Sequence, residues 1–278
     1  MTLRARARSA LVTRCSPVVC AALAVLALGS GCAHTPHKPR AEMPSSDIVS
    51  YGKAAFERHE YADAIEFLKG YIAREPSGER ADEAHELLGL CYFRTGESPS
   101  AATEFQIVIN EFAGSNFVPD ARYYLGLAFW KQSRPAPYDQ DYTRRALSEF
   151  ERFLELYPDH PRVEEVRRAR GEARARLAKK DYDVGKLYVK LGLAEPSRFY
   201  FRAVQADYPE SPWAPWAALG EAQMWAKERR WEESQAVLDR LLGSNPPEPV
   251  AKEARELAAY VKKRQVASRG GAPPAAAP

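Results

Sequence analysis

Glycines 52, 89 and 126 stand 37 residues apart, and their neighbours keep the same step. Ala64 and Ala101 repeat it, as do Leu68 and Phe105. From Ala101 to Ala146 the step lengthens to 45, and from Phe150 to Phe201 and Pro158 to Pro209 it is 51. The register then returns: Gly185 to Ala222, Phe201 to Leu238 and Pro209 to Pro246 are each 37 apart. No other feature restricts the fold as much. A unit this short cannot bury its own apolar face, so several units must stack and share one core. Five units fit one ruler, with eight extra residues in the third and fourteen more before Gly185.

The spacing inside a unit is helical. In the third, Leu125-Gly126 with Phe129 marks a first helix, and Ala146, Phe150 and Phe153 mark a second that closes at Tyr157-Pro158. Unit one runs from about Asp47 to Pro76, where Ala64, Leu68 and Tyr71 recur on one face. Unit two runs from about Ala81 to Ala113, with Leu88-Gly89 and Tyr92 as its marks and Ala113 in place of the closing proline. A glycine inside a helix costs roughly 1 kcal/mol against alanine, so close approach of paired helices is the expected compensation. These residue types at these steps resemble the tetratricopeptide repeat. The resemblance implies an all-α, right-handed superhelical stack of about five helix pairs with a C-terminal capping helix, expected from about Pro249 to Arg264.

Two stretches break the ruler. Ser133 to Asp141 is too long for a helix hairpin turn. Pro161 to Leu193 carries the fourteen-residue excess with a proline only at its first position, and predicts one long helix whose first half projects beyond the stack. Its arginines 167, 168, 170, 174 and 176 alternate with Glu164, Glu165 and Glu172, and read as a solvated face stitched by intrahelical ion pairs.

Arg4, Arg6, Arg8 and Arg14 precede an apolar run from Val18 to Leu28, then Gly29-Ser30-Gly31-Cys32. A basic head, a short apolar run and small residues read as an export signal. Eleven apolar residues span about 16 Å as a helix, roughly half a bilayer core, which disfavours a transmembrane anchor. The stretch resembles a bacterial lipoprotein signal, which implies Cys32 as the lipid attachment site; Gly29 stands where a leucine is usual. The domains are then 1–31 signal peptide, 32–45 tether, 46–266 repeat domain and 267–278 disordered tail. Removing residues 1–31 turns the net charge of +3 into −1, with 36 basic against 37 acidic residues, so nucleic acid is not an expected partner. Cys91 is then the one thiol left, on an apolar helix face, and core packing is its expected role.

The insert PYDQDYTRRAL, the segment LAKKDYDVGKLYVKLGL, the signal and the repeats together resemble the BamD family, lipoproteins of the β-barrel assembly machinery of Gram-negative outer membranes. The resemblance implies a non-enzymatic periplasmic scaffold, held on the outer membrane by its N-terminal lipid. It also implies binding to unfolded outer-membrane proteins through their aromatic-ended C-terminal strand, to the barrel-forming BamA subunit and to accessory lipoproteins. Unit four departs at Glu195-Pro196-Ser197, where Ala-Ile is commoner. In tetratricopeptide stacks certain first-helix positions line the concave side. Carried to this chain they are Lys53 and Phe56, Leu90 and Phe93, Tyr123, Leu127 and Trp130, then Tyr182, Lys186 and Val189. Of these Phe56, Leu90, Phe93, Tyr123, Leu127 and Trp130 form the expected peptide-binding groove. No catalytic constellation, metal site or cofactor motif is read, since His59, His85 and His160 fall on unrelated units. A pilotin-like secretin assembly lipoprotein and a cell-envelope coordinator remain open as alternatives.

Overall fold

A computed structural model describes residues 43–269; the signal, Cys32 and nearly all of the tether lie outside the described residues, as does the tail after Arg269. Within them every regular element is a helix. Unit one is α1 (Ser45–Glu57) and α2 (Tyr61–Arg74), and unit two α3 (Ala81–Thr95) and α4 (Ser98–Glu111). Unit three is α5 (Val118–Gln132) and α6 (Asp141–Leu156), and unit four α7 (Val163–Lys190) and α8 (Ala194–Asp207). Unit five is α9 (Ala214–Lys227) and α10 (Trp231–Gly243), followed by α11 (Glu248–Arg269) against α9 and α10.

The glycine ruler marks helix contact. A Cβ built on Gly89 would meet the Phe105 ring at 2.7 Å, one on Gly126 the Phe150 ring at 2.5 Å, and one on Gly185 the Phe201 ring at 2.7 Å. Each ring is buried, 0% exposed at Phe105 and Phe150 and 1% at Phe201. Burying such a ring contributes about 1.5–3 kcal/mol, more than the roughly 1 kcal/mol lost to a mid-helix glycine. The polar groups follow the same ruler. His85 on α3 pairs with Glu104 on α4 at 2.7 Å, and 37 residues on Arg122 pairs with Glu149 at 2.7 Å.

Turn chemistry repeats as well. His59, Gly96, Gly192 and Arg229 have positive φ of 64°, 88°, 76° and 61°, and close the first helices of units one, two, four and five. After each, the next backbone N–H donates to the carbonyl five residues back: Glu60 to Ala55, Glu97 to Tyr92, Leu193 to Tyr188 and Arg230 to Trp225, at 2.8–3.0 Å. This bond satisfies a carbonyl the helix end would leave open. One ruler step beyond Gly96 lies Ser133, where the insert begins instead.

Gln140, 1% exposed, folds that insert inward. Its amide donates to the carbonyls of Arg134, Pro135 and Tyr138 at 3.2, 2.9 and 3.1 Å, and its Oε1 accepts from Thr143 at 2.7 Å. The long helix is continuous through Gly171, but its first half does not project. Val166 and Ala173 are 0% exposed, packed into the stack with α5 and α6. The solvated-face reading also holds only near its start, where Arg167 pairs with Glu164. Arg174 crosses to Glu210 and the Asp207 carbonyl, Arg176 donates to Ser133, and Lys180 donates to the Tyr138 carbonyl at 2.9 Å. The two irregular stretches of the sequence therefore brace each other.

Candidate functional site

Each first helix touches the first helix of the next unit: α1 meets α3, α3 meets α5, α5 meets α7, α7 meets α9 and α9 meets α11. Among the described residues no second helix touches another. The first helices thus form an inner row on the side where the stack curves in. What that row presents follows from position relative to the ruler glycine. One residue after it stand Lys53, Leu90, Leu127 and Lys186; four after it stand Phe56, Phe93, Trp130 and Val189.

Phe56, Leu90, Leu127 and Trp130 are half-buried and lie against one continuous core cluster. Phe56 leans on Tyr61, ring centroids 5.8 Å apart. Trp130 carries the Arg176 guanidinium 3.6 Å above its ring, a cation–π contact that covers one face. Phe93 and Tyr123 are deeper, 8% and 9% exposed. The Lys131 ammonium sits 3.6 Å over the Phe93 ring, and Tyr124 meets its edge at 5.5 Å. Tyr123 packs on Tyr124 and Phe153. Burial first, and then the negative charge of Glu165, pushes its hydroxyl up to about 12, so it stays neutral. In unit four Tyr182, Lys186 and Val189 line a cavity of about 240 Å³ with Trp216 and Gln223, floored by Phe201.

Three residues before the ruler glycine the row carries Glu86, Tyr123 and Tyr182. Glu86, absent from the sequence-derived set, is 7% exposed. Burial, with Asp120 and Glu83 adding to it, pushes its carboxyl up to about 7. The neighbouring acids are matched: Glu83 with Lys53 at 3.4 Å and Arg80 at 2.7 Å, and Asp120 with Arg162 at 2.6 Å. The signal for Glu86 was its register with Tyr123, 37 residues on. Cys91, 0% exposed, sits one turn along the same helix, its thiol pushed up to about 12 by burial and then by Glu86. It is packing, not a nucleophile. Among the described residues no group of three or more acidic, His or Cys side chains is placed to hold a metal, and no helix is long and apolar enough to cross a membrane.

An inner row of first helices, an outer row of second helices and a half-apolar inner surface define a superhelical helix-pair scaffold of the tetratricopeptide class. The chain belongs to the YfiO family of outer membrane lipoproteins, whose model matches residues 41–196. It is 23% identical over 190 residues to the outer membrane protein assembly factor BamD of Caulobacter vibrioides, covering 67% of this chain. The chain spans 62% of that relative's length. A tetratricopeptide repeat protein of Parabacteroides merdae overlaps 81% of this chain and 76% of its own at 16% identity and a TM-score of 0.36. One of Bacteroides fragilis overlaps 79% and 98% at 12% identity and 0.46. These overlaps are loose, and the helix order itself defines the fold.

Proposed function

We propose that this protein is a non-enzymatic scaffold of outer-membrane β-barrel assembly, lipid-anchored through Cys32 on the periplasmic face of the outer membrane. In this reading the concave row binds unfolded outer-membrane proteins, with Phe56, Leu90, Leu127 and Trp130 offering the contact surface and Phe93 and Tyr123 its backing. The observation that carries it is the coincidence of the family match over residues 41–196 with the half-exposed apolar row on α1, α3 and α5. An aromatic side chain gains roughly 2 kcal/mol by burial against such a surface. Unit four separately exposes Leu187, Leu191, Leu193 and Phe199, each 47–67% exposed, and these side chains are assigned to the barrel-forming assembly subunit. Exposed apolar patches mark interaction surfaces.

Two measurements test the assignment. Affinity capture from detergent-solubilised membranes, read by mass spectrometry, should recover a barrel-forming assembly subunit; a pilus secretin in its place would move the protein to the pilotin-like class. Phe199→Asp should weaken that recovery. Cys32→Ser should shift the protein from the membrane to the soluble periplasmic fraction, because two or more acyl chains are needed for persistent anchoring. Unchanged membrane retention after a salt wash would contradict the anchor.

A further inference from the structure

Across units one to four a charged ribbon runs along the inner row beside the apolar residues. Lys53 from α1 pairs with Glu83 on α3, and Asp120 from α5 pairs with Arg162 at the start of α7. Arg162 also reaches Glu165 at 3.3 Å, and the charge of Glu165 acts on the Tyr123 hydroxyl. Glu86 lies in the middle of this ribbon, in the field of Lys53 and Glu83 on one side and Asp120 and Arg162 on the other. Among the described residues it accepts no hydrogen bond and joins no ion pair, although it is 7% exposed. Its oxygens are not among the sealed, unsatisfied atoms of the protein.

Both nearby cations are committed. Lys53 is held by Glu83, and Arg162 is shared between Asp120 and Glu165. A buried carboxylate without a cation is unfavourable unless a partner supplies one. We propose that Glu86 is the seat of a Lys or Arg side chain from an extended polypeptide lying along the concave face. This rests on the concave-face reading above and adds to it a charge requirement: a bound segment needs a cation beside its apolar side chains. The elevated carboxyl of Glu86 fits that role, because an arriving ammonium or guanidinium favours the ionised form and would displace a proton.

The test uses the purified full-length protein and synthetic peptides ending in Phe, with a single Lys walked along the sequence. Each peptide has a copy in which norleucine replaces Lys, and affinities are read by fluorescence anisotropy at pH 8.5 and pH 5.5. At least one Lys peptide should bind about tenfold tighter than its norleucine copy at pH 8.5, as a single desolvated charge pair allows. The preference should shrink at pH 5.5, where Glu86 is protonated, and vanish in Glu86→Gln. Equal binding of every Lys and norleucine pair at pH 8.5, or a preference that survives Glu86→Gln, overturns this proposal and leaves the concave face standing. Failure of every peptide to bind overturns the concave-face reading and this proposal with it.

Discussion

Single side chains are where this stack departs from its own pattern. Ala64, Ala101 and Ala146 hold one ruler position, and at that position units four and five carry Ser197 and Ser234, both 0% exposed. Ser234 donates to the Ala222 carbonyl at 2.9 Å, whereas the Ser197 hydroxyl has no partner. A buried hydroxyl left unsatisfied costs about 1–3 kcal/mol. Ser197→Ala should therefore raise stability in urea denaturation by about 1 kcal/mol, and Ser234→Ala should lower it by a similar amount. Glu86 is a second departure. Its folded value of about 7 lies above the ordinary 4.5, so the folded state binds the proton more tightly than the unfolded chain. Stability is then full below pH 4.5 and declines as pH rises through 7, by on the order of 3 kcal/mol. Glu86→Gln should thus stabilise the fold at pH 8 and leave it unchanged at pH 4.5; a gain of equal size at both would contradict this account of Glu86.

Helices and their turns show what could be read from the chain and what could not. The ruler was legible because a unit's main contacts lie within about 25 residues: Gly89 with Phe105, His85 with Glu104, His59 closing α1. The long helix was legible because Pro161 to Leu193 carries no internal breaker beyond Gly171. Its packing was not, since Arg176 over Trp130 and Lys180 on the Tyr138 carbonyl depend on where an irregular insert folds. Gln140, the residue that folds it, is an amide with no periodic signature. Tyr123 and Phe93 were placed on the inner row by resemblance, but their depth is set by Tyr124, Lys131 and Arg162, which no spacing announces. Turn chemistry yields a prediction at this scale. His59 and Arg229 hold the left-handed conformation that Gly96 and Gly192 hold without strain. Strain there is about 1–2 kcal/mol for a side-chain-bearing residue. Gly96→Ala should lower the denaturation midpoint by an amount equal to about 1 kcal/mol, and His59→Gly should not lower it.

For the whole molecule, the two rows divide the labour. Second helices insert Phe105, Phe150 and Phe201 into the glycine seams and hold the curve, while first helices keep their inner faces free of any second row. That is why a scaffold can carry half-exposed Phe56, Leu90, Leu127 and Trp130 on one side. Truncating Phe93 or Tyr123 mixes stability with binding, because both are buried. Leu90 and Leu127 separate the two.

The most direct test of the central claim is therefore the affinity of the C-terminal strand peptide of an outer-membrane barrel protein for wild type, Leu90→Ala, Leu127→Ala and an outer-row control, Leu156→Ala, which is 50% exposed. Circular dichroism checks that each variant is folded. The two inner-row variants should lose about 1–3 kcal/mol of binding, and Leu156→Ala none. Full affinity in both inner-row variants, with their fold intact, would contradict that claim.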